Sequence, residues 1–139
     1  MGLFINNTDE IQEKVRENFG ESDDYLVGMK YNGWKKGLAE LIASSLVYVM
    51  DSSRTFLLYF SPKGIYEKEM SHSLKGEFTL IPWEEIEGFH VKEKRNKECI
   101  EFLHLGKRVG YEINYGGAIN RGNEERMRAL KAKNWNRLS

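Results

Sequence analysis

The chain has 139 residues, the size of one ordinary domain and enough to bury most of an apolar core. A hydrophobic fraction of 40% with only two prolines excludes an extended or disordered chain. Its 21 basic and 21 acidic residues cancel, which excludes a whole-molecule field drawing it onto nucleic acid or an anionic bilayer.

One cysteine, Cys99, leaves no intramolecular disulfide. No N-terminal stretch joins a basic region to an apolar one, so the expected location is the cytoplasm. The longest apolar run, within Leu38 to Met50, is broken by Glu40, Ser44 and Ser45 and falls short of the ~20 residues that span a bilayer.

In chain order, Asn7 and Thr8 precede Asp9 and Glu10, a capping and dipole-matched start, and Ile11, Val15 and Phe19 then share one face before Gly20. This predicts an amphipathic helix over about 9–18. Asp24 to Tyr31 has strand character and ends at Asn32 and Gly33. Trp34 to Met50 fits a helical face over its first part, while Leu46 to Met50 fits a strand equally well. A helix over about 35–48 is the expectation, buried or shared with a partner.

Phe56 to Phe60 is a continuous apolar run suited to a central strand, and Ser61 to Gly64 places proline and glycine for a tight turn into a second strand, Ile65 to Met70. Glu77 to Ile81 is the next strand. Pro82 presets one helical turn bracketed by Trp83 and Ile86. Glu87 to Glu93, Cys99 to Leu105 and Val109 to Ile113 complete an antiparallel meander. After the glycines at 116, 117 and 122, Asn123 reads as an N-cap, Glu124 and Glu125 suit the first turn, and Met127, Leu130 and Trp135 form the apolar stripe of a helix over about 123–136. About seven strands and a terminal helix predict an α+β domain, a strongly bent antiparallel sheet or partly open barrel capped by that helix, spanning residues 1–139.

LLYFSPKGIYEKEM resembles the second and third strands of bacterial pleckstrin-homology-like (PH-like) domains, and IPWEEIEGFHVKEK resembles their entry into the fifth strand: proline, aromatic, two acids, isoleucine. The resemblance extends from Asp24 to about Trp135. The helix before Asp24 and the segment Lys35 to Tyr48 stand outside it, the latter as an insertion between the first two strands. The resemblance implies a partly open barrel that binds proteins or lipids and has no catalysis of its own.

It also implies that the loops after strands one, three and six gather at one end of the barrel. That would bring together Lys35, Lys36, Arg54, Lys75, Lys107 and Arg108 as a candidate anion site for a lipid headgroup or an acidic protein surface. The competing reading is ordinary solvated charge, since acids interleave throughout and the eukaryotic phosphoinositide motif of the first loop is not matched.

Other chemistry is weakly signalled. His72, His90 and His104 with Cys99 lack the paired spacing of a zinc site, and no cofactor is expected. Glu84, Glu85 and Glu87 diverge around a turn rather than converge as acid and base, and the serines lack a nucleophile elbow, so an enzyme is not expected. Tyr115 to Gly122 precedes a helix but lacks the lysine that ends a phosphate loop. Lys92, Lys94, Arg95 and Lys97 form a basic turn without stacking aromatics, so nucleic acid is not expected either. The stripe Ile11, Val15, Phe19 and the segment Leu38 to Met50 carry apolar surface that either packs on the sheet or serves self-association or a protein partner. The sequence thus points to a cytoplasmic, non-enzymatic interaction module, peripheral at the membrane if lipid is its ligand.

Overall fold

Strand β2 (Thr55–Phe60) is buried along almost its whole length because both of its faces are covered. Phe56, Leu58 and Phe60 enter one core, while Leu57 and Tyr59 enter a second on the opposite side. With a side-chain period of two, a strand between two apolar layers must read as a continuous apolar run. The computed structural model describes residues 8–32, 55–70 and 76–138. The expected insertion helix at 35–48 lies outside the described residues.

Helix α1 (Thr8–Phe19) is followed by β1 (Tyr25–Asn32), β2, β3 (Gly64–Glu69), β4 (Thr79–Pro82), a 3-10 turn (Trp83–Glu85), β5 (Ile86–Lys94), β6 (Lys97–His104), β7 (Lys107–Asn114) and α2 (Asn123–Ala132). The strands form one antiparallel sheet in the order β4-β3-β2-β1-β7-β6-β5 among the described residues. The sheet is not closed into a barrel, since β4 and β5 stand at its two ends. The 3-10 turn connects these two end strands along the chain. There the Trp83 indole N–H donates to the Ser61 carbonyl at 2.7 Å, and Trp83 and Phe89 meet edge to face with ring centroids 5.4 Å apart.

The inner face of the sheet packs against Met127, Leu130 and Trp135. The outer face of β1 to β3 packs against Ile11 and Val15, each 1% exposed, with Phe19 stacked on Tyr59 at 3.9 Å between centroids. Burying two such aliphatic side chains contributes about 3–6 kcal/mol. The apolar stripe of α1 therefore packs on the sheet within the chain.

Two expectations are corrected at the C-terminal helix. It ends at Ala132, about four residues early, because Asn134, Trp135 and Asn136 all take positive φ, between 53° and 63°. The reversal folds Trp135 into the inner core, 5.0 Å from Phe60 by ring centroids, and lets the Asn136 amide donate to Asp24 and to the Phe60 carbonyl, each at 2.9 Å. Asn123 is not the N-cap. Gly122 holds that position at φ 85° with no side-chain cap, and the Asn123 side chain reaches β1 while its Oδ1 also accepts from Arg126 Nη2 at 3.2 Å.

Where it points explains a defect in the sheet. β1 pairs with β2 over Tyr25–Met29 but with β7 only over Met29–Asn32, so the N-terminal half of β1 lacks a neighbour on the β7 side. The Asn123 amide is wedged into the fork. Its Oδ1 accepts from the Val27 N–H at 3.1 Å, and its Nδ2 donates to the Val27 carbonyl at 2.8 Å and the Asn114 carbonyl at 2.9 Å. One turn on, Arg126 Nε donates to the Tyr25 carbonyl at 2.8 Å while its guanidinium covers the Tyr25 ring. Two side chains of α2 thus serve the strand edge as a missing strand would.

Candidate functional site

The register carries the end of β1, the end of β3 and the β6–β7 turn to one rim of the sheet. Asn32 pairs with Val109, Glu69 pairs with Phe56 beside the start of β2, and His104 pairs with Lys107. The turn between β6 and β7 is tight because Leu105 and Gly106 both take positive φ, 52° and 85°. Of the six sequence-predicted cations, Lys107 and Arg108 open β7 on this rim. Lys35, Lys36, Arg54 and Lys75 lie outside the described residues, so their convergence is not part of the described geometry.

Just inside the rim, on the inner face, the apolar lining gives way to a charged cluster that the sequence reading missed. Lys30 on β1 reaches Glu67 on β3, Nζ to Oε2, at 2.6 Å, with both side chains largely buried at 15% and 12% exposure. The Tyr111 hydroxyl on β7 donates to the same carboxylate oxygen. The Lys30 ammonium also lies 5.1 Å from the Phe56 ring centroid and 5.7 Å from that of Tyr111. Burial, then the Glu67 charge, hold the Tyr111 phenol well above its ordinary pKa, so it stays a neutral donor. Lys30 shares its face of β1 with the buried Leu26, and Glu67 shares its face of β3 with the buried Ile65. A lone lysine or glutamate within a strand reads as solvent-facing, and only the register brings the two together.

The outer face of β5 to β7 carries a second set of buried carboxylates. Glu101 and Glu112 are each 5% exposed. His90 Nε2 lies 3.0 Å and Lys92 Nζ 3.7 Å from Glu101 Oε1, and Lys97 Nζ lies 2.7 Å from Glu112 Oε2. Burial raises the Glu112 pKa above the usual carboxylate value. Two of the four cations in the predicted basic turn, Lys92 and Lys97, are therefore engaged in cross-strand ion pairs. His104 pairs with Glu85 at 2.9 Å, far from His90 along the hairpin, and no group of three or more metal-ligating side chains occurs among the described residues.

The glycine-rich segment after β7 folds into successive turns that lead to Gly122. Arg121, Glu124 and Glu125 line the shallow groove there. Two exposed carboxylates at the helix start oppose the anion that its backbone N–H groups would otherwise favour. Chemically, the rim offers an ion pair, a phenol donor and surface cations. A scan against family models, a search of curated proteins and a search of solved structures each return no match to this chain. Among the described residues no helix is long and apolar enough to cross a membrane.

Proposed function

We propose that the chain is a non-enzymatic interaction module of PH-like type, engaging a protein partner or further copies of itself at the rim where β1, β3 and the β6–β7 turn meet. The observation that carries this reading is the sheet order, in which β1 joins β2 to β7 and the C-terminal helix stoppers the inner face. That arrangement agrees with the resemblance seen in LLYFSPKGIYEKEM and IPWEEIEGFHVKEK. It fills the interior with side chains and leaves recognition to the rim and edges. The Lys30, Glu67 and Tyr111 cluster supports the same reading, because a buried ion pair fixes the relative position of three strands whose ends carry that rim.

Site-specific photo-crosslinking tests it. A reactive residue replacing Lys107, on the rim, is expected to give discrete protein adducts, and one replacing Lys94, at the far end of the β5–β6 hairpin, is not. Adducts indifferent to position, or none, count against the proposal.

A second reading, binding of an anionic lipid through the basic loops, is favoured by the placement of Arg108 one residue from the Val109 partner of Asn32, where the chain leaves β1 toward Lys35 and Lys36. Sedimentation with anionic and neutral liposomes across a salt series separates it from the first, since charge-driven binding weakens as salt rises. A Lys107→Glu, Arg108→Glu chain that sediments as the parent does removes the lipid reading.

A further inference from the structure

We infer that the free edge of β4 is a docking site for an extended peptide that alternates apolar and acidic residues. The inference rests on the binding-module reading and names a partner class for a second surface, away from the rim. β4 stands at the end of the sheet, so among the described residues no strand pairs with its outer side. Beside it runs a groove lined by Pro62, Lys63, Leu80, Pro82, Trp83, Arg137 and their neighbours. Leu80, Leu105 and Leu138 are the large hydrophobic side chains exposed among the described residues, and two of them, Leu80 at 37% and Leu138 at 82%, line this groove. An exposed strand edge beside apolar side chains is the geometry by which a peptide adds itself to a sheet: its backbone bonds to the edge and its alternate side chains enter the groove.

Charge selects the occupant. Lys63 and Arg137 border the groove against a single acid, Glu84. The Arg137 guanidinium lies over the aromatic pair, 4.6 Å from the Trp83 ring centroid and 5.7 Å from that of Phe89, and neither cation forms an ion pair with a described carboxylate. A carboxylate on the incoming strand would meet both cations, and a lysine there would be repelled. Pro82 and the four-residue length of β4 limit pairing to a short segment, which suits reversible capture and disfavours edge-to-edge fibres.

The test is an amide-resolved NMR titration of the isotope-labelled chain with two synthetic peptides, one alternating valine with glutamate and one alternating valine with lysine. The expected result is that the acidic peptide shifts the amides of Thr79, Leu80, Ile81 and Lys63, and that the basic peptide binds at least about tenfold more weakly. Leu80→Asp, at an exposed position that leaves the remaining spectrum unchanged, should weaken the acidic peptide by about tenfold. Lys63→Glu should narrow or reverse the preference between the two. Equal binding of both peptides, or no shift at β4 with either, overturns the inference. So do β4 shifts that follow the concentration of the chain itself with no peptide present, because the occupant is then a second copy. If β4 fails while Lys107-dependent crosslinks persist, only this inference falls and the rim reading stands.

Discussion

Replacing Asn123 distinguishes a wedge in the sheet from a helix cap. The side chain is fully buried, and its amide serves the Val27 N–H, the Val27 carbonyl and the Asn114 carbonyl. Asn123→Ala leaves all three without that partner, the Val27 groups buried and the Asn114 carbonyl partly so, at about 1–3 kcal/mol each before relaxation, so a total near 4 kcal/mol is expected. A lost cap alone would cost about 1 kcal/mol. Asn123→Asp separates the two roles more sharply. A carboxylate at the first turn is neutral or favourable for a helix end. Here it removes the donor to two carbonyls and sets negative charge against them, so a loss of about 3 kcal/mol or more is expected. The assay is urea unfolding followed by circular dichroism, with hydrogen exchange at the Val27 amide as a local readout. An Asn123→Asp chain within about 0.5 kcal/mol of the parent, with Val27 still protected, would refute the wedge.

Other expectations follow from the same geometry. Lys30→Met leaves the Glu67 carboxylate buried without its cation and should cost about 3–5 kcal/mol, whereas Lys30→Met with Glu67→Leu should recover most of that, as read by denaturant midpoints. Gly64→Ala places a Cβ 2.1 Å from the Ile81 carbonyl oxygen and 2.7 Å from Pro82 Cα, so β3 and β4 must part; about 3 kcal/mol of destabilisation is expected in thermal unfolding. Leu130→Ala, fully buried under the sheet, should cost about 2–5 kcal/mol by the same measurement. Glu112 gives a pH signature. Its folded-state pKa is raised by burial, so the native chain holds that proton more tightly than the unfolded one. Its contribution to stability is then present below the ordinary carboxylate pKa of about 4.3 and is lost as pH rises through the raised native value. Glu112→Gln should lack that decline, which a comparison of parent and variant stability across the window will register.

Much of the architecture was legible in the sequence because burial leaves a periodic trace. Phe56 to Phe60 read as a central strand, which the structure covers on both sides, and Pro82 with Trp83 and Ile86 marked the turn that became the 3-10 element. What escaped detection depended on distant partners. Asn123 before two glutamates satisfies every local rule for a cap, and nothing near it in the chain discloses that its partner is Val27. Trp135 continues the helical stripe of Met127 and Leu130, so a helix through it was the natural extrapolation. It reaches the core instead through consecutive left-handed residues, a conformation that asparagine tolerates but does not announce. Lys30 and Glu67 were hidden for the opposite reason. Charge within a strand signals solvent unless the pairing is known. The predicted cation site was only half a geometric statement: the register brings the ends of β1 and β3 and the β6–β7 turn to one rim, while four of its six residues lie outside the described part of the chain.

The placement of β1 sets an order of events during synthesis. Its partner β2 emerges before β7 and before the amide that plugs the fork, which is separated from Val27 by 96 positions. Until then the inner surfaces of Leu26, Phe56 and Leu58 have no lid. Such long-range closure slows folding. The nascent chain therefore passes through an interval in which the inner face of β1 and β2 is not yet covered by β7 and α2.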